Sequence, residues 1–200
     1  MDAYCLPRKY LFASSNIPEG AAVLDLACGT GLNFPFILEQ AGPRGHIVGI
    51  DSSWGMLKEA RSQGKRHGWS DRITLIHEDA RLCSAELLER HSGVRQVDAL
   101  VCTLGLSVIS DFELALTNAL SVVRGGGRCV VMDTILWDGA RRVLNPLLVP
   151  VVMTTAAADI RRATLQTLAG RIEGLRVEMF KSGHVLARRV FVATGTKPNP

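Results

Sequence analysis

The stretch Val23-Leu24-Asp25-Leu26-Ala27-Cys28-Gly29-Thr30-Gly31 decides how this chain is read. An apolar run with one carboxylate ends in two glycines a single residue apart. That is the pattern of a buried strand turning sharply into a helix. Gly29 and Gly31 permit the turn and let backbone come close to a ligand. The helix then opens at Asn33, a residue suited to cap it, and Pro35 is tolerated because it lies in the first turn. Further on, Ile47-Val48-Gly49-Ile50-Asp51 reads as a second strand ending in a carboxylate. The spacing 51 − 31 = 20 residues is the one from which an acid accepts hydrogen bonds from ribose hydroxyls in Rossmann-type sites.

The loop departs from a dinucleotide fingerprint. A G-x-G-x-x-G pattern requires glycine at position 34, where Phe34 stands, and a bulky ring does not suit close packing around a pyrophosphate. Asp25 would repel phosphate, yet it can pair with the ammonium of an amino acid through a backbone or water link. The chain contains no G-x-x-x-x-G-K-[ST] phosphate loop.

Outward from this segment, short apolar runs alternate with amphipathic stretches. Strands are expected at Ala22–Leu26, His46–Ile50, Ile73–His77, Ala99–Thr103, Arg128–Asp133, Leu175–Phe180 and Val190–Thr194. Helices are expected at Asn33–Gln40, Trp54–His67, Ala85–His91 and Asp111–Val123. The first five strands are continuously apolar, as strands covered on both faces must be. Alternation of this kind gives a mostly parallel sheet with helices on both sides. The last two strands are separated by a short turn at Ser182-Gly183-His184, too short for a parallel crossover, so one of them runs antiparallel. The expected fold class is therefore α/β, a Rossmann-like three-layer sandwich.

At 200 residues the chain is read as one domain, with an N-terminal cap over 1–20 and a lid-like insert over 136–157. The net charge of +4 comes from scattered arginines. Such a bias fits acidic substrates, anionic lipid surfaces or nucleic acid without choosing among them. The five cysteines include no C-x-x-C pair and read as small buried hydrophobes of a reduced, cytoplasmic protein. The first residues do not form a signal peptide, and no apolar run approaches the roughly 20 residues of a membrane span.

Taken together, the motifs resemble the class I S-adenosylmethionine-dependent methyltransferases. The resemblance rests on Asp25 to Gly31, then Gly49-Ile50-Asp51-Ser52-Ser53 with Met56 beyond. It continues through His77-Glu78-Asp79-Ala80, Val97 to Leu104, and Arg124-Gly125-Gly126-Gly127-Arg128. These cover residues 21 to 135 in the family's order. The resemblance implies a seven-stranded, mostly parallel sheet with strand 7 antiparallel, and S-adenosylmethionine as cofactor. It places Asp25, Ala27, Gly29 and Gly31 along the methionine part and Asp51 on the ribose. Asp79 falls on the adenine amino group with Ala80 offering its amide, and Thr103 and Leu104 lie near the sulfonium. Asn33 and Ser52 complete the expected binding set. Met56 either packs on the adenine or joins the core.

The acceptor is less closely specified. Cys102-Thr103-Leu104-Gly105 after strand 4 lacks the N/D-P-P-Y/F/W motif of amino-methylating DNA enzymes, and no Pro-Cys nucleophile of cytosine C5 enzymes occurs. Nucleic acid is thus not expected as a partner. Strand 4 also ends without a hard oxygen ligand, so no metal is expected. Beyond strands 4 and 5 the chain resembles bacterial phospholipid and betaine-lipid N-methyltransferases and the broader quinone-ring methyltransferase group. A small-molecule or lipid acceptor follows, with an amine the first choice, and with peripheral membrane contact or a homodimer as further expectations. Leu144 to Met153 carries no charge and is broken by Pro146 and Pro150. It reads as an apolar lid, as core packing or as a dimer face. Asp133 and His184 are the candidates for a general base, or, for Asp133, for attracting a cationic amine. Two other readings share the cofactor: a catalytically weak partner subunit, and transfer of the aminocarboxypropyl arm instead of the methyl.

Overall fold

The computed structural model describes residues 4–135, 164–181 and 189–199. In chain order the elements are α1 (Cys5–Ala13), β1 (Ala22–Leu26), α2 (Phe34–Ala41), β2 (His46–Asp51), α3 (Trp54–Arg66), β3 (Ile73–His77), α4 (Ala85–Ser92), β4 (Val97–Thr103), α5 (Phe112–Val122), β5 (Val123–Ile135), α6 (Thr164–Ala169), β6 (Glu173–Lys181) and β7 (Arg189–Thr196). Single 3₁₀ turns lie at Ser70–Arg72 and Ala80–Leu82.

The strands form one sheet in the order β3-β2-β1-β4-β5-β7-β6. β1 pairs in parallel with β2 and β4, and the parallel set extends to β3 and β5. β7 runs antiparallel to both β5 and β6. This is the expected architecture, and every expected strand and helix is present with ends shifted by a few residues. β5 is longer than expected because the Arg124-Gly125-Gly126-Gly127 segment extends the strand backward to Val123. The Ser182–His184 turn and the 136–157 insert fall outside the described residues.

Strand parity builds the three layers, because successive side chains point to opposite faces. On one face Leu24, Leu26, Val48, Ile50, Ile76 and Leu100 pack with Leu88 of α4, Ala115 and Leu116 of α5 and Leu168 of α6. On the other, Val23, Ile47, Ala99, Val101, Val130 and Met132 pack with Leu11 and Phe12 of α1, Phe34 and Ile37 of α2 and Leu57 and Ala60 of α3. Each fully buried Leu, Ile or Phe of this kind contributes about 1.5–3 kcal/mol. The N-terminal cap expected over 1–20 contains α1, whose Leu11 is completely buried.

Helix starts follow local chemistry. Ser53, Ser84 and Asp111 accept from the backbone N–H groups of Met56, Leu87 and Leu114, as N-cap side chains do. Asn33 does not. It stands at the N-cap of α2, but its side chain makes no capping bond. Its amide is drawn beneath the loop instead, with consequences described below. Cys28, Cys83, Cys102 and Cys129 are buried free thiols. Burial pushes Cys83 and Cys129 up to about 12, so these thiols serve as core residues rather than nucleophiles.

Candidate functional site

The carboxyl ends of β1, β2 and β4 converge on one cavity of about 560 Å³. Ligands in open parallel sheets bind at this edge, where the strand order reverses, and the reversal here falls between β1 and β4. A smaller concavity of about 370 Å³ lies between α1 and the β6–β7 pair, lined by Tyr10, Arg128 and Glu173 among others. It sits away from the strand ends that carry the motifs.

Four segments line the larger cavity. β1 and its loop supply Ala27 and Gly29, β2 and its continuation supply Asp51, Ser52, Ser53 and Met56, the β3 turn supplies Asp79 and Ala80, and the segment after β4 supplies Thr103 to Gly105 and Val108 to Ser110. Of the twelve residues expected to bind cofactor, Ala27, Gly29, Asp51, Ser52, Met56, Asp79, Ala80, Thr103 and Leu104 are brought together here. Asp25, Gly31 and Asn33 are not on the lining. Met56 is 47% exposed, which places it on the wall and not in the core.

Asp51 fixes the loop as well as facing the cavity. One carboxylate oxygen accepts from Gly29 N at 2.8 Å and the other from Ser53 N at 2.8 Å. Each oxygen retains acceptor capacity. Gly29 adopts φ +56°, and a Cβ added there would meet no atom within 4 Å. The glycine therefore leaves open space rather than avoiding a protein clash. Gly31 differs: at φ +83° its added Cβ would lie 2.5 Å from the Phe34 ring. Gly31 serves packing of the turn.

Two non-glycine residues on the wall hold left-handed backbone: Ala27 at φ 54° and Leu104 at φ 59°. Such conformations cost on the order of 1–3 kcal/mol and persist where surrounding structure enforces them. Leu104 N donates to Met132 O at 2.7 Å and Cys28 N to Ile50 O at 3.0 Å, so neighbouring strands lock both turns.

Asp79 reaches the lining, but its carboxylate is already paired. Arg81 Nη2 lies 2.6 Å from Asp79 Oδ2, and Arg81 also donates from Nε and from its backbone N–H. The Arg81 hydrogen bonds hold the Asp79 carboxyl below its usual range. Any ligand amino group shares this acid with Arg81. The sequence signal for that pair is an arginine two residues on. Ser53, Gly105 and Val108 to Ser110 were missed; they are direct continuations of segments already assigned.

The residues below the loop form a chain. Asp25 is 0% exposed. Asn33 Nδ2 donates to its two oxygens at 3.0 and 3.2 Å. The same amide contacts Thr103 Oγ1, at 3.0 Å from Nδ2 and 3.1 Å from Oδ1. Arg8 Nε, from α1, donates to Asn33 Oδ1 at 3.1 Å. Burial raises the Asp25 carboxyl to about 7, against the lowering pull of the Asn33 hydrogen bond and of Arg8. Asp25 therefore supports the loop from beneath and does not meet the cavity directly.

Asp133 is likewise 0% exposed. Its oxygens accept from Ser107 N at 2.8 Å and Thr134 N at 2.7 Å, and burial raises its carboxyl above the ordinary range. Expected from sequence as a base or as a group attracting a cationic amine, it tethers the segment after β4 to β5. His184 lies outside the described residues. Among the described residues no helix is long and apolar enough to cross a membrane, and no three of His, Cys, Asp and Glu cluster as a metal site.

Strand order, glycine loop and the acid ending β2 give this chain the Rossmann-like architecture of the class I S-adenosylmethionine-dependent methyltransferases. A model of the methyltransferase domain matches residues 23–127, just over half of the chain, and the chain belongs to that family. It is 30% identical over 133 residues to a ubiquinone/menaquinone biosynthesis C-methyltransferase of Hahella chejuensis, covering 66% of this chain and 51% of that protein. The chain thus spans about half the length of the curated relatives it matches. Among solved structures, a Bacillus halodurans protein assigned as a methyltransferase superposes with TM-score 0.72 at 13% identity, covering 96% of this chain and 99% of that one. The [4+2]-cyclase SpnF superposes with TM-score 0.71 at 16% identity, covering 98% and 81%. The second match shows that this fold also carries an enzyme named for another reaction, so activity must be argued from the site.

The cavity suits the family cofactor on three counts. Open space stands in front of Gly29, the Asp51 carboxylate sits across from it, and Leu104, Val108 and Ile109 provide an apolar wall. Its volume falls within the roughly 300–1,000 Å³ typical of small-molecule sites.

Proposed function

We propose that this chain transfers the methyl group of S-adenosylmethionine to a small lipophilic acceptor, with a quinone-type ring carbon the first acceptor to test. The observation that carries the reading is the convergence of Ala27, Gly29, Asp51, Asp79 and Leu104 on one cavity at the sheet's carboxyl edge. Asp51 holds the ribose hydroxyls, Asp79 and Ala80 face the adenine, and Ala27 and Gly29 lie along the methionine part. Thr103 and Leu104 flank the sulfur. The bound cofactor supplies a methyl already activated by the sulfonium, so the protein's work is alignment and exclusion of water. Leu104, Val108 and Ile109 exclude water from the wall they form. A quinone-type acceptor is favoured over an amine by two points: the relative named above acts, by its name, in quinone biosynthesis, and Asp133 has no exposed charge to offer an ammonium.

The test is incubation with methyl-labelled S-adenosylmethionine and, separately, a demethylated isoprenoid quinol and a phospholipid amine in detergent. Label in the quinol with S-adenosylhomocysteine as co-product is the expected result. Methylthioadenosine as co-product would show aminocarboxypropyl transfer and overturn methyl transfer. Label in the amine would overturn the quinone assignment. Cofactor binding without turnover on either acceptor would favour a partner subunit.

Asp51→Ala is expected to weaken S-adenosylhomocysteine binding more than tenfold, since a charged hydrogen bond contributes roughly 1.5–3 kcal/mol. The same change removes the acceptor of Gly29 N and Ser53 N, so loop order is lost together with the ribose contact. Calorimetry returning an unchanged dissociation constant would refute the ribose assignment.

A further inference from the structure

We propose that Arg8, on the N-terminal helix, is a positioning residue for cofactor binding: held against Asn33, it fixes the one amide that carries both Thr103 at the cavity wall and the Asp25 carboxylate beneath the loop. The proposal rests on the cofactor reading of the cavity. Its basis is a single side chain shared by three elements. Asn33, only 2% exposed, gives Nδ2 to Asp25 and contacts Thr103, while Oδ1 takes the Arg8 Nε hydrogen bond. An Asn amide has one plane and two ends. Arg8 determines which end faces α1, and therefore which end faces Asp25. Reversing the amide would aim Oδ1 at a carboxylate, an acceptor against an acceptor.

The charges require the same arrangement. Arg8 is 4% exposed and Asp25 0%, and a buried charge stripped of its partner is strongly destabilised. The groups that bear on Asp25 come from every neighbouring element: Arg8 from α1, Asn33 from α2 and Asp51 from β2, with the thiols of Cys28 in the loop and Cys102 in β4. Among these groups Arg8 supplies the positive charge. Docking of α1 is thus coupled to the cofactor site, because Thr103, whose hydroxyl meets the Asn33 amide, lines the cavity.

The variants Arg8→Gln and Arg8→Lys test this by calorimetric titration with S-adenosylhomocysteine across pH, alongside melting curves. Gln can donate to Asn33 but lacks the charge; Lys keeps the charge. Arg8→Gln is expected to lose about tenfold in affinity near neutral pH and to move the pH midpoint of binding upward, since Asp25 loses its nearby cation. Arg8→Lys is expected to restore the midpoint. A lower melting temperature with affinity and midpoint unchanged in both variants would make Arg8 an anchor for α1 only and overturn the proposal. Failure of the unmodified protein to bind S-adenosylhomocysteine would instead overturn the cofactor reading, and the proposal with it. Should Arg8→Gln not fold, an Arg8→Lys midpoint displaced from that of the unmodified protein would still refute the role of charge.

Discussion

Gly29→Val is expected to fold and to lose S-adenosylhomocysteine binding by a hundredfold or more, whereas Gly31→Ala is expected to unfold readily although it adds only a methyl group. The two glycines are separated by one residue and look equivalent in the sequence. Around Gly29 an added Cβ meets nothing within 4 Å, so the valine side chain enters the space assigned to ligand. The cost to the fold is the left-handed backbone at φ +56°, on the order of 1–2 kcal/mol for a non-glycine residue. A hundredfold loss corresponds to about 2.7 kcal/mol of binding energy. At Gly31 the added Cβ would stand 2.5 and 2.6 Å from two atoms of the Phe34 ring. That ring is fully buried and packed in the core, so it has nowhere to move. Overpacking of about 1–3 kcal/mol adds to strain at φ +83°. Thermal melts and calorimetry on the two variants would separate these effects. Normal binding by Gly29→Val would show that the glycine loop has been misassigned as the cofactor contact.

The fold was legible because its signals are local and periodic. Continuous apolar runs of five or six residues, each followed by a helical stretch, leave little choice besides a parallel sheet covered on both faces. The two glycines were legible because backbone at φ +56° and +83° restricts residue type, and Asp51 because it ends a continuously apolar strand. Asp25 was not. Its motif position implied a ligand contact, yet it shares strand parity with Val23 and so points into the layer of α1 and α2, where Arg8 and Asn33 enclose it. Nothing near Arg8 in the sequence indicates a partner 25 residues away; it reads as one more basic residue on a helix. Ala27 and Leu104 at positive φ were equally hidden, because ordinary residues in that conformation are imposed by tertiary context. Asn33 shows the limit of propensity. It occupies the N-cap as expected, but Oδ1, the atom that would cap, accepts from the Arg8 guanidinium while Nδ2 donates to the buried Asp25 carboxyl, and hydrogen bonds to charged groups are about twice as strong as a neutral capping bond.

Asp25 also makes the stability of the protein depend on pH in an unusual sense. Its carboxyl is raised from 3.8 to about 7 by burial, so the native state holds a proton that the unfolded chain releases. Stability changes with pH in proportion to protons bound in the unfolded state minus those bound in the native state. Between 3.8 and about 7 that difference is negative for this group. Its contribution is fully present below the unfolded value and is lost as pH rises through the folded value. The full shift corresponds to about 4 kcal/mol at 1.36 kcal/mol per unit. Asp133, raised in the same direction by burial, adds to the trend, while Asp79, lowered from 3.8 by Arg81, changes stability only below this window. The measurement that isolates Asp25 is therefore a difference. Denaturant unfolding of the unmodified protein and of Asp25→Asn at about pH 5 and about pH 8 is expected to show the unmodified protein losing about 2–3 kcal/mol relative to the variant toward alkaline pH. A difference that stays flat across the window, or grows in favour of the unmodified protein as pH rises, would mean that Asp25 is ionised in its native surroundings throughout. The buried carboxylate would then be sustained by Arg8 and Asn33 more strongly than its burial opposes it.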